Sequence, residues 1–210
     1  MALNSLVLFF ALFLALVAGE KTCDAKKGSC EAPFTTYGLP SSRGGLPLIA
    51  AGMRRKFFLD VYAVGLYQSE KTAMSKGIKK VADLEKLSEV SGGLFGPSSL
   101  FVLVFSREVG TDQMVGGMVD ALSGGNAAYK KSLDSFKSIL TKAVGPKGIK
   151  IKDDIEFSYG GDSIDISFNG KKAGTVSDAK ELKKKLMLVY AGTSSVAPEI
   201  HEILKKKLIK

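Results

Sequence analysis

Two adjacent arginines, Arg54 and Arg55, are the residues of this sequence whose type and position best suit ligand chemistry. They lie between two apolar segments, residues 46–52 and 57–67, and Tyr62 follows within the second segment. A guanidinium offers a rigid fork of donors that holds a carboxylate or an enolate, and a phenol can add a third donor. The pattern suits an amphipathic acid in an apolar cavity. The alternative is that both arginines lie in a solvent-exposed hairpin.

Other reactive side chains are few. His201 is the single histidine, so a multi-histidine metal site is excluded, and it lies in a Lys-rich segment typical of an exposed helix residue. Asp153 and Asp154 are adjacent in a predicted strand and would point to opposite faces, which is unsuitable for shared acid/base work. No Gly-rich phosphate loop follows a predicted strand. We therefore expect no metal, no nucleotide and no other cofactor.

The composition fits one globular domain. The 210 residues include 30 Lys and Arg against 21 Asp and Glu, a formal net charge of +9, and 45% are hydrophobic. This hydrophobicity excludes a disordered chain, and no linker divides the sequence. The lysines at 183–185 and 205–207 alternate with apolar helix positions, so we interpret them as solvated helix faces. A patch for nucleic acid or an acidic membrane is the alternative, but no aromatic residues are interleaved with them. We expect a monomer with no nucleic-acid partner.

The N-terminal segment resembles a targeting sequence. Residues 6–18 are all apolar and are followed by Gly19 and two charged residues, which predicts a signal peptide over residues 1–19. An uncleaved anchor or a buried helix is the alternative. We expect the secretory pathway (secretion or the ER lumen) or, through a bipartite signal, a plastid, with no membrane span left after cleavage. Cys23 and Cys30, in the extension 20–32, are then candidates for a disulfide in an oxidising compartment.

The remaining patterns predict an α+β domain over residues 33–210, with helices on one side of a largely antiparallel sheet. A short strand is expected in 33–43, and both faces of segment 57–67 are apolar, as in a central strand. Further strands are predicted at 46–52, 100–105, 149–159, 164–168 and 172–176, with an Asn169-Gly170 turn before the last. Helices are predicted at 72–90, 111–122, 127–143, 178–190 and 198–209. Thr111 or its neighbour and Ser177 are the expected N-caps.

Three segments of the sequence resemble the chalcone isomerase-like family. Residues 51–67, AGMRRKFFLDVYAVGLY, are similar to a family segment in which an arginine precedes a VYAVGLY-type strand. Residues 168–177 and the turn from Tyr190 to Pro198 are similar to the closing hairpin and the final turn of the family. The resemblance implies an open-faced β-sandwich, a large antiparallel sheet covered by a layer of helices. It also implies one of two functions, chalcone–flavanone isomerisation by an intramolecular lyase or non-catalytic binding of fatty acids.

The family's site positions favour the non-catalytic group. The resemblance places the family's arginine at Arg54 and puts Tyr62 where the isomerases have threonine, as the fatty-acid-binding relatives do. The isomerase tyrosine, asparagine and last Thr/Ser fall near Thr111, Met118 and Lys183, so three polar positions change character. We therefore expect a fatty acid or similar hydrophobic carboxylate to meet Arg54 and Tyr62, with Arg55 as the other candidate.

The expected binding cleft lies between sheet and helices, and its candidate wall residues are Val61, Val64, Phe101, Met114, Met118 and Phe136. A structural module whose own side chains fill this cleft is a third possibility.

Overall fold

The strands form one antiparallel sheet in which neighbours in sequence are neighbours in space. The computed structural model describes residues 38–69, 99–123 and 127–208. In these ranges the strands are β1 Ser42–Arg43, β2 Leu46–Lys56, β3 Leu59–Gln68, β4 Ser99–Phe105, β5 Asp154–Gly160, β6 Ser163–Phe168 and β7 Lys171–Val176. The helices are α1 Thr111–Ala121, α2 Ala127–Val144, α3 Lys180–Ala191 and α4 Pro198–Leu208. The α+β class and the short strand before β2 are confirmed.

Several expectations fall outside these ranges. They are the signal peptide over residues 1–19, the extension with Cys23 and Cys30, and the helix predicted at 72–90. They stay predictions.

Strand alternation was a reliable guide in the second half of the sheet. Ile155 and Phe157 in β5 and Ile166 in β6 are fully buried, while the residues between them are more exposed. The two residues between β6 and β7, Asn169 and Gly170, have φ values of 49° and 73°. Positive φ at both positions is the signature of a type I′ turn, so the predicted hairpin is confirmed.

Strand β3 is buried on both faces, as its sequence predicts. Val64 and Leu66 face the main core beneath the helices, whereas Ala63 and Tyr67 belong to a second apolar cluster on the opposite face. The four helices contribute to the main core through regularly spaced residues, among them Met118, Phe136, Leu186, Ile200 and Leu204. The helices therefore cover one face of the sheet, in agreement with the expected sandwich.

The sheet curls strongly. Arg43 in β1 lies four strands away from β5 in the sheet order, yet its guanidinium is 3.2 Å from the Asp154 carboxylate and 3.0 Å from that of Glu156. Partial burial lowers the pKa of Arg43, but the two carboxylates together outweigh it, so the pKa of Arg43 is raised. The contacts bring β1 across the outer face of the sheet, where Leu39 covers part of the second apolar cluster.

The predicted turn between the first two long strands is displaced. Residues 53–56 do not turn, because Arg54 and Arg55 remain in the ladder opposite Tyr62 and Asp60. The β2–β3 turn consists of Phe57 and the residue after it, so the expected strand start at residue 57 is wrong. Cross-strand pairing and the ion pair between Arg55 and Asp60, 2.9 Å long, keep the ladder closed to its end.

The predicted strand 149–159 begins late. Ile149 forms an isolated bridge with Val109, and the backbone N–H of Lys150 donates to the Asp153 carboxylate at 2.7 Å. The chain therefore turns at 150–153, leaves Ile151 exposed, and enters β5 only at Asp154.

Two helix expectations are also corrected. Ser177 does not cap α3, which starts at Lys180 with Ala179 as its N-cap. The Ala179 N–H instead donates to the Asp162 carbonyl, which holds the preceding segment outside the helix. His201 is not exposed: it is 8% accessible, because its ring packs against the end of α3 with Nδ1 3.0 Å from the Ala191 carbonyl.

The turn residue Phe57 gives a stability prediction. Its φ is 59°, a conformation that costs a non-glycine residue about 1 kcal/mol, and its side chain is 87% exposed. We expect Phe57→Asn to raise the free energy of unfolding by about 0.5–1 kcal/mol, since asparagine tolerates positive φ and little packing is lost. Urea unfolding measures this change. Phe58→Asn is the matched control, because Phe58 is 88% exposed without a positive φ, and an equal gain there would contradict the strain argument.

Candidate functional site

A cavity of about 410 Å³ opens between the β2–β3 hairpin, the end of β4, and helices α1 and α3. Its wall is mostly apolar and consists of Val61, Phe105, Val109, Met114, Met118, Ala121, Leu122, Leu186 and Val189. The exposed residues on its lining mark its open side, with Lys56, Phe57, Leu59 and Glu108 at the hairpin end and Gln113, Gly117 and Ala121 along α1. The combination of an apolar wall and a few polar groups is typical of a small-molecule site.

A β-bulge in β3 shapes one side of this cavity. Arg54 pairs with Tyr62 and Arg55 pairs with Asp60, so Val61 is an extra residue in the ladder. Side chains normally alternate between the faces of a strand, but Val61 and Tyr62 both line the cavity. The bulge thus adds a wall residue beside the tyrosine and leaves Asp60, instead of Val61, opposite Arg55.

Arg54 projects into the cavity from β2. It is half-buried, and its guanidinium carbon lies 6.0 Å from the centre of the Tyr62 ring, which permits a cation–π contact. In the part of the chain that the structure describes, no carboxylate forms an ion pair with Arg54. The Arg54 guanidinium therefore places a positive charge at the cavity.

Two buried tyrosines stand beside this arginine. The hydroxyl oxygens of Tyr62 and Tyr190 are 3.4 Å apart, and both residues line the cavity. The Tyr62 ring packs against Phe105 with centroids 5.1 Å apart, and the Tyr190 ring lies 5.4 Å from that of Phe101. Burial raises the pKa of both phenols, and the neighbouring Tyr62 raises that of Tyr190 further. Both are therefore neutral hydrogen-bond donors at physiological pH.

The structure brings together the two principal residues of the sequence prediction. Arg54 and Tyr62 are cross-strand neighbours in one cavity, with Met118 on the facing helix. Of the expected wall residues, Val61, Met114 and Met118 line the cavity. Val64, Phe101 and Phe136 are fully buried core residues outside its lining.

Three weaker candidates lie outside the cavity lining. Arg55 points away and pairs with Asp60 and with Glu199 of α4, at 2.9 Å and 2.6 Å. The Thr111 hydroxyl donates to the Gly145 carbonyl and joins the start of α1 to the end of α2.

Lys183 is held at the other side of α3. Its ammonium donates to the Gly161 carbonyl and lies 5.4 Å from the centre of the Tyr159 ring. Desolvation lowers its pKa, an effect that Asp162 opposes. Its side chain therefore supports the β5–β6 turn, away from the cavity.

Sequence reasoning missed Tyr190, Gln113 and Arg107, which also line the cavity. A signal for α1 was available, because residues 113, 114, 117, 118, 121 and 122 all line the cavity and follow helical spacing. Arg107 precedes α1 in a segment without regular spacing, so no local pattern indicated it.

The described residues contain no group of three or more His, Cys, Asp or Glu side chains placed to hold a metal ion. Nor does any helix in those ranges have the length and apolar character needed to cross a bilayer.

The fold and the cavity define an α+β protein with a largely apolar pocket whose polar lining includes Arg54 and Arg107. The chain belongs to the chalcone isomerase-like family, whose model matches residues 39–209. Its fold is similar to the crystal structure of a fatty-acid binding protein from Arabidopsis thaliana, with a TM-score of 0.64 and 16% sequence identity, covering 79% of this chain and 90% of that one. No curated protein sequence matches the chain significantly.

The tyrosine pair predicts a loss of stability in alkali. When the pKa of a phenol is higher in the folded protein than in the unfolded chain, the neutral phenol stabilises the fold. This stabilisation is fully present below the pKa in the unfolded chain, about 10, and is lost as the pH rises towards the pKa in the folded protein. We expect the free energy of unfolding to be constant from pH 7 to 9 and to fall above pH 10, by up to about 1.4 kcal/mol per pH unit for each such tyrosine. Burial raises the pKa of Tyr67, Tyr129 and Tyr159 as well, that of Tyr129 to about 12.

Urea unfolding across this pH range measures the loss. The double variant Tyr62→Phe, Tyr190→Phe should show a shallower decline than the wild type. Equal slopes would contradict a raised pKa for these two phenols.

Proposed function

We propose that this protein binds a long-chain fatty acid or a similar hydrophobic carboxylate and is not a catalyst. The observation that carries the proposal is Arg54: a half-buried guanidinium without an ion-pair partner among the described residues, at an apolar cavity. Partial burial of an uncompensated charge costs free energy, and an incoming carboxylate would offset that cost.

The dimensions of the cavity support a ligand of this class. Its volume of about 410 Å³ lies within the range of about 300–1,000 Å³ that is usual for small-molecule sites. Met114 and Met118 line the α1 side, and flexible thioether side chains adapt to acyl chains of different shape. The structural similarity to a protein described as fatty-acid binding agrees with this chemistry.

The polar groups suit the head of such a ligand. In the proposed complex the carboxylate accepts hydrogen bonds from the Arg54 guanidinium and from the Tyr62 hydroxyl, while Tyr190 donates to Tyr62 or to the second carboxylate oxygen. Charge-assisted bonds of this kind are about twice as strong as neutral ones. The acyl chain then lies against the wall formed by α1 and α3.

A matched pair of arginine variants tests the site. We expect Arg54→Ala to weaken binding of a fatty acid by about 1.5–3 kcal/mol, because a charge-assisted hydrogen bond is lost. Titration calorimetry with palmitate measures the affinity. Arg55→Ala is the control, since Arg55 bonds with Asp60 and Glu199 outside the cavity and should bind palmitate as the wild type does.

Two results would contradict the proposal. Palmitate affinity unchanged in a folded Arg54→Ala protein would exclude the proposed head-group site. Loss of affinity in Arg55→Ala alone would move the site to the outer side of the hairpin.

The same geometry predicts very low chalcone isomerase activity. Steering a phenolate onto an enone requires several positioned polar groups, but Thr111 and Lys183 lie outside the cavity and Met118 is apolar. We expect the absorbance of a chalcone solution to decay at its spontaneous rate in the presence of the protein. A faster decay that Arg54→Ala abolishes would make the protein an isomerase.

A further inference from the structure

In the described residues, large apolar side chains are exposed on two turns. They are Phe57, Phe58, Leu59 and Ile151, with 87%, 88%, 40% and 57% of their surface accessible. The first three belong to the β2–β3 turn and the fourth to the turn before β5. Such a concentration differs from the scattered apolar residues of an ordinary surface and marks an interaction site.

The two turns lie at the same end of the sheet. Strands β3 and β4 are antiparallel with Tyr62 opposite Phe105, so the start of β3 adjoins the end of β4. The Lys152 N–H donates to the Phe105 carbonyl at 2.8 Å, which places the second turn beside that same strand end. We call this surface, made by Phe57, Phe58, Leu59 and Ile151, the apolar tip.

Positive charge surrounds the apolar tip. Segments 54–60, 106–112 and 147–153 form this end of the sheet and contain seven Lys and Arg against four Asp and Glu. Arg55 is paired with Asp60 and with Glu199 of α4, and Asp153 accepts bonds from the Lys150 backbone N–H and from the Asn169 amide. Lys150 and Lys152 stand on either side of Ile151 and are exposed. An apolar surface with a basic rim complements an anionic bilayer, in which aromatic rings settle at the head-group level.

The apolar tip also borders the cavity. Phe57 and Leu59 line its mouth together with Lys56, whereas Phe58 and Ile151 do not line it. A surface at this position can deliver a lipid directly into the cavity.

We infer that the apolar tip docks on an anionic phospholipid bilayer, with Phe58 and Ile151 inserted at the head-group level and the basic rim against the lipid phosphates. The role of this docking rests on the proposed function: docking brings the mouth of the cavity to the membrane from which a fatty acid is taken or to which it is returned. A second copy of the chain is a poorer occupant. Four side chains on two turns present far less than the roughly 800 Å² per partner of a stable dimer.

Sedimentation with vesicles tests the inference. We expect the protein to bind vesicles of phosphatidylcholine and phosphatidylglycerol in equal parts much more tightly than vesicles of phosphatidylcholine alone. Phe58→Ser combined with Ile151→Ser should lower the partition coefficient on the mixed vesicles about tenfold or more. Both residues are exposed, so the fold and palmitate affinity in solution should be unchanged.

Two double lysine variants provide a matched comparison. Lys150→Gln with Lys152→Gln should reduce binding to the mixed vesicles about tenfold to thirtyfold, since each lysine near an anionic surface contributes about 1 kcal/mol. Lys130→Gln with Lys131→Gln removes the same charge from the start of α2, which lies at the opposite end of the helix layer, and should have little effect.

The outcomes separate the two proposals. Wild-type protein that fails to bind the mixed vesicles, or a Phe58/Ile151 double variant that binds them as the wild type does, overturns the docking surface. A dimer in native mass spectrometry that this double variant abolishes, without vesicle binding, assigns the tip to a second copy and also overturns it. Vesicle binding by a protein that has no palmitate affinity refutes the proposed function and leaves the docking surface supported.

Discussion

The register of the β2–β3 ladder is the constraint on which the rest of the site depends. It places Arg54 directly opposite Tyr62, so both side chains stand on the cavity face of the sheet. Arg55 follows Arg54 in β2, so ordinary alternation turns it outward to Asp60 and Glu199. The bulge in β3 lets Val61 line the cavity beside Tyr62 and leaves Asp60 opposite Arg55.

The polar groups around Arg54 stand among apolar side chains. Arg54 carries a positive charge, and Tyr62 and Tyr190 keep their protons because burial raises their pKa values. Hydrogen bonds and ionic contacts are stronger in such surroundings than in water, and unpaired polar groups there are correspondingly costly. In the proposed function, these surroundings suit one anionic head with an apolar tail.

The hairpin that supplies these groups is fixed from two sides. The Arg43 contacts to Asp154 and Glu156 draw β1 over the outer face of the sheet. On the other side α4 covers the free edge of β2, where the Glu199 carboxylate accepts from the Met53 N–H at 3.4 Å and from Arg55. Covering an edge in this way also prevents strand pairing with other chains. The turn at Phe57 projects beyond the Arg43 contacts and the α4 contacts, and it lies beside the mouth of the cavity.

Periodic patterns in the sequence predicted most of the strands and helices of the fold. These patterns are local: the alternation in β5 and β6, the Asn169-Gly170 turn, the apolar run of β4 and the spacing in α2. A local pattern predicts an element because the apolar or polar character of each side chain indicates whether it is buried. The arginine next to a tyrosine-bearing strand was visible for the same reason. Family resemblance then distinguished Arg54 from its neighbour, which spacing alone did not.

The tertiary structure decided everything that depends on residues far apart in the chain. Tyr190 reaches Tyr62 across 128 positions, and Arg55 is drawn away by Glu199 across 144. No periodicity encodes such contacts. Contacts with other elements also determine the bulge, the late start of β5 and the burial of His201. The sequence around His201 is typical of an exposed helix, but the residue is buried because α3 packs against it. Sequence determined which surfaces are apolar, and only the packed chain determined which polar groups those surfaces enclose.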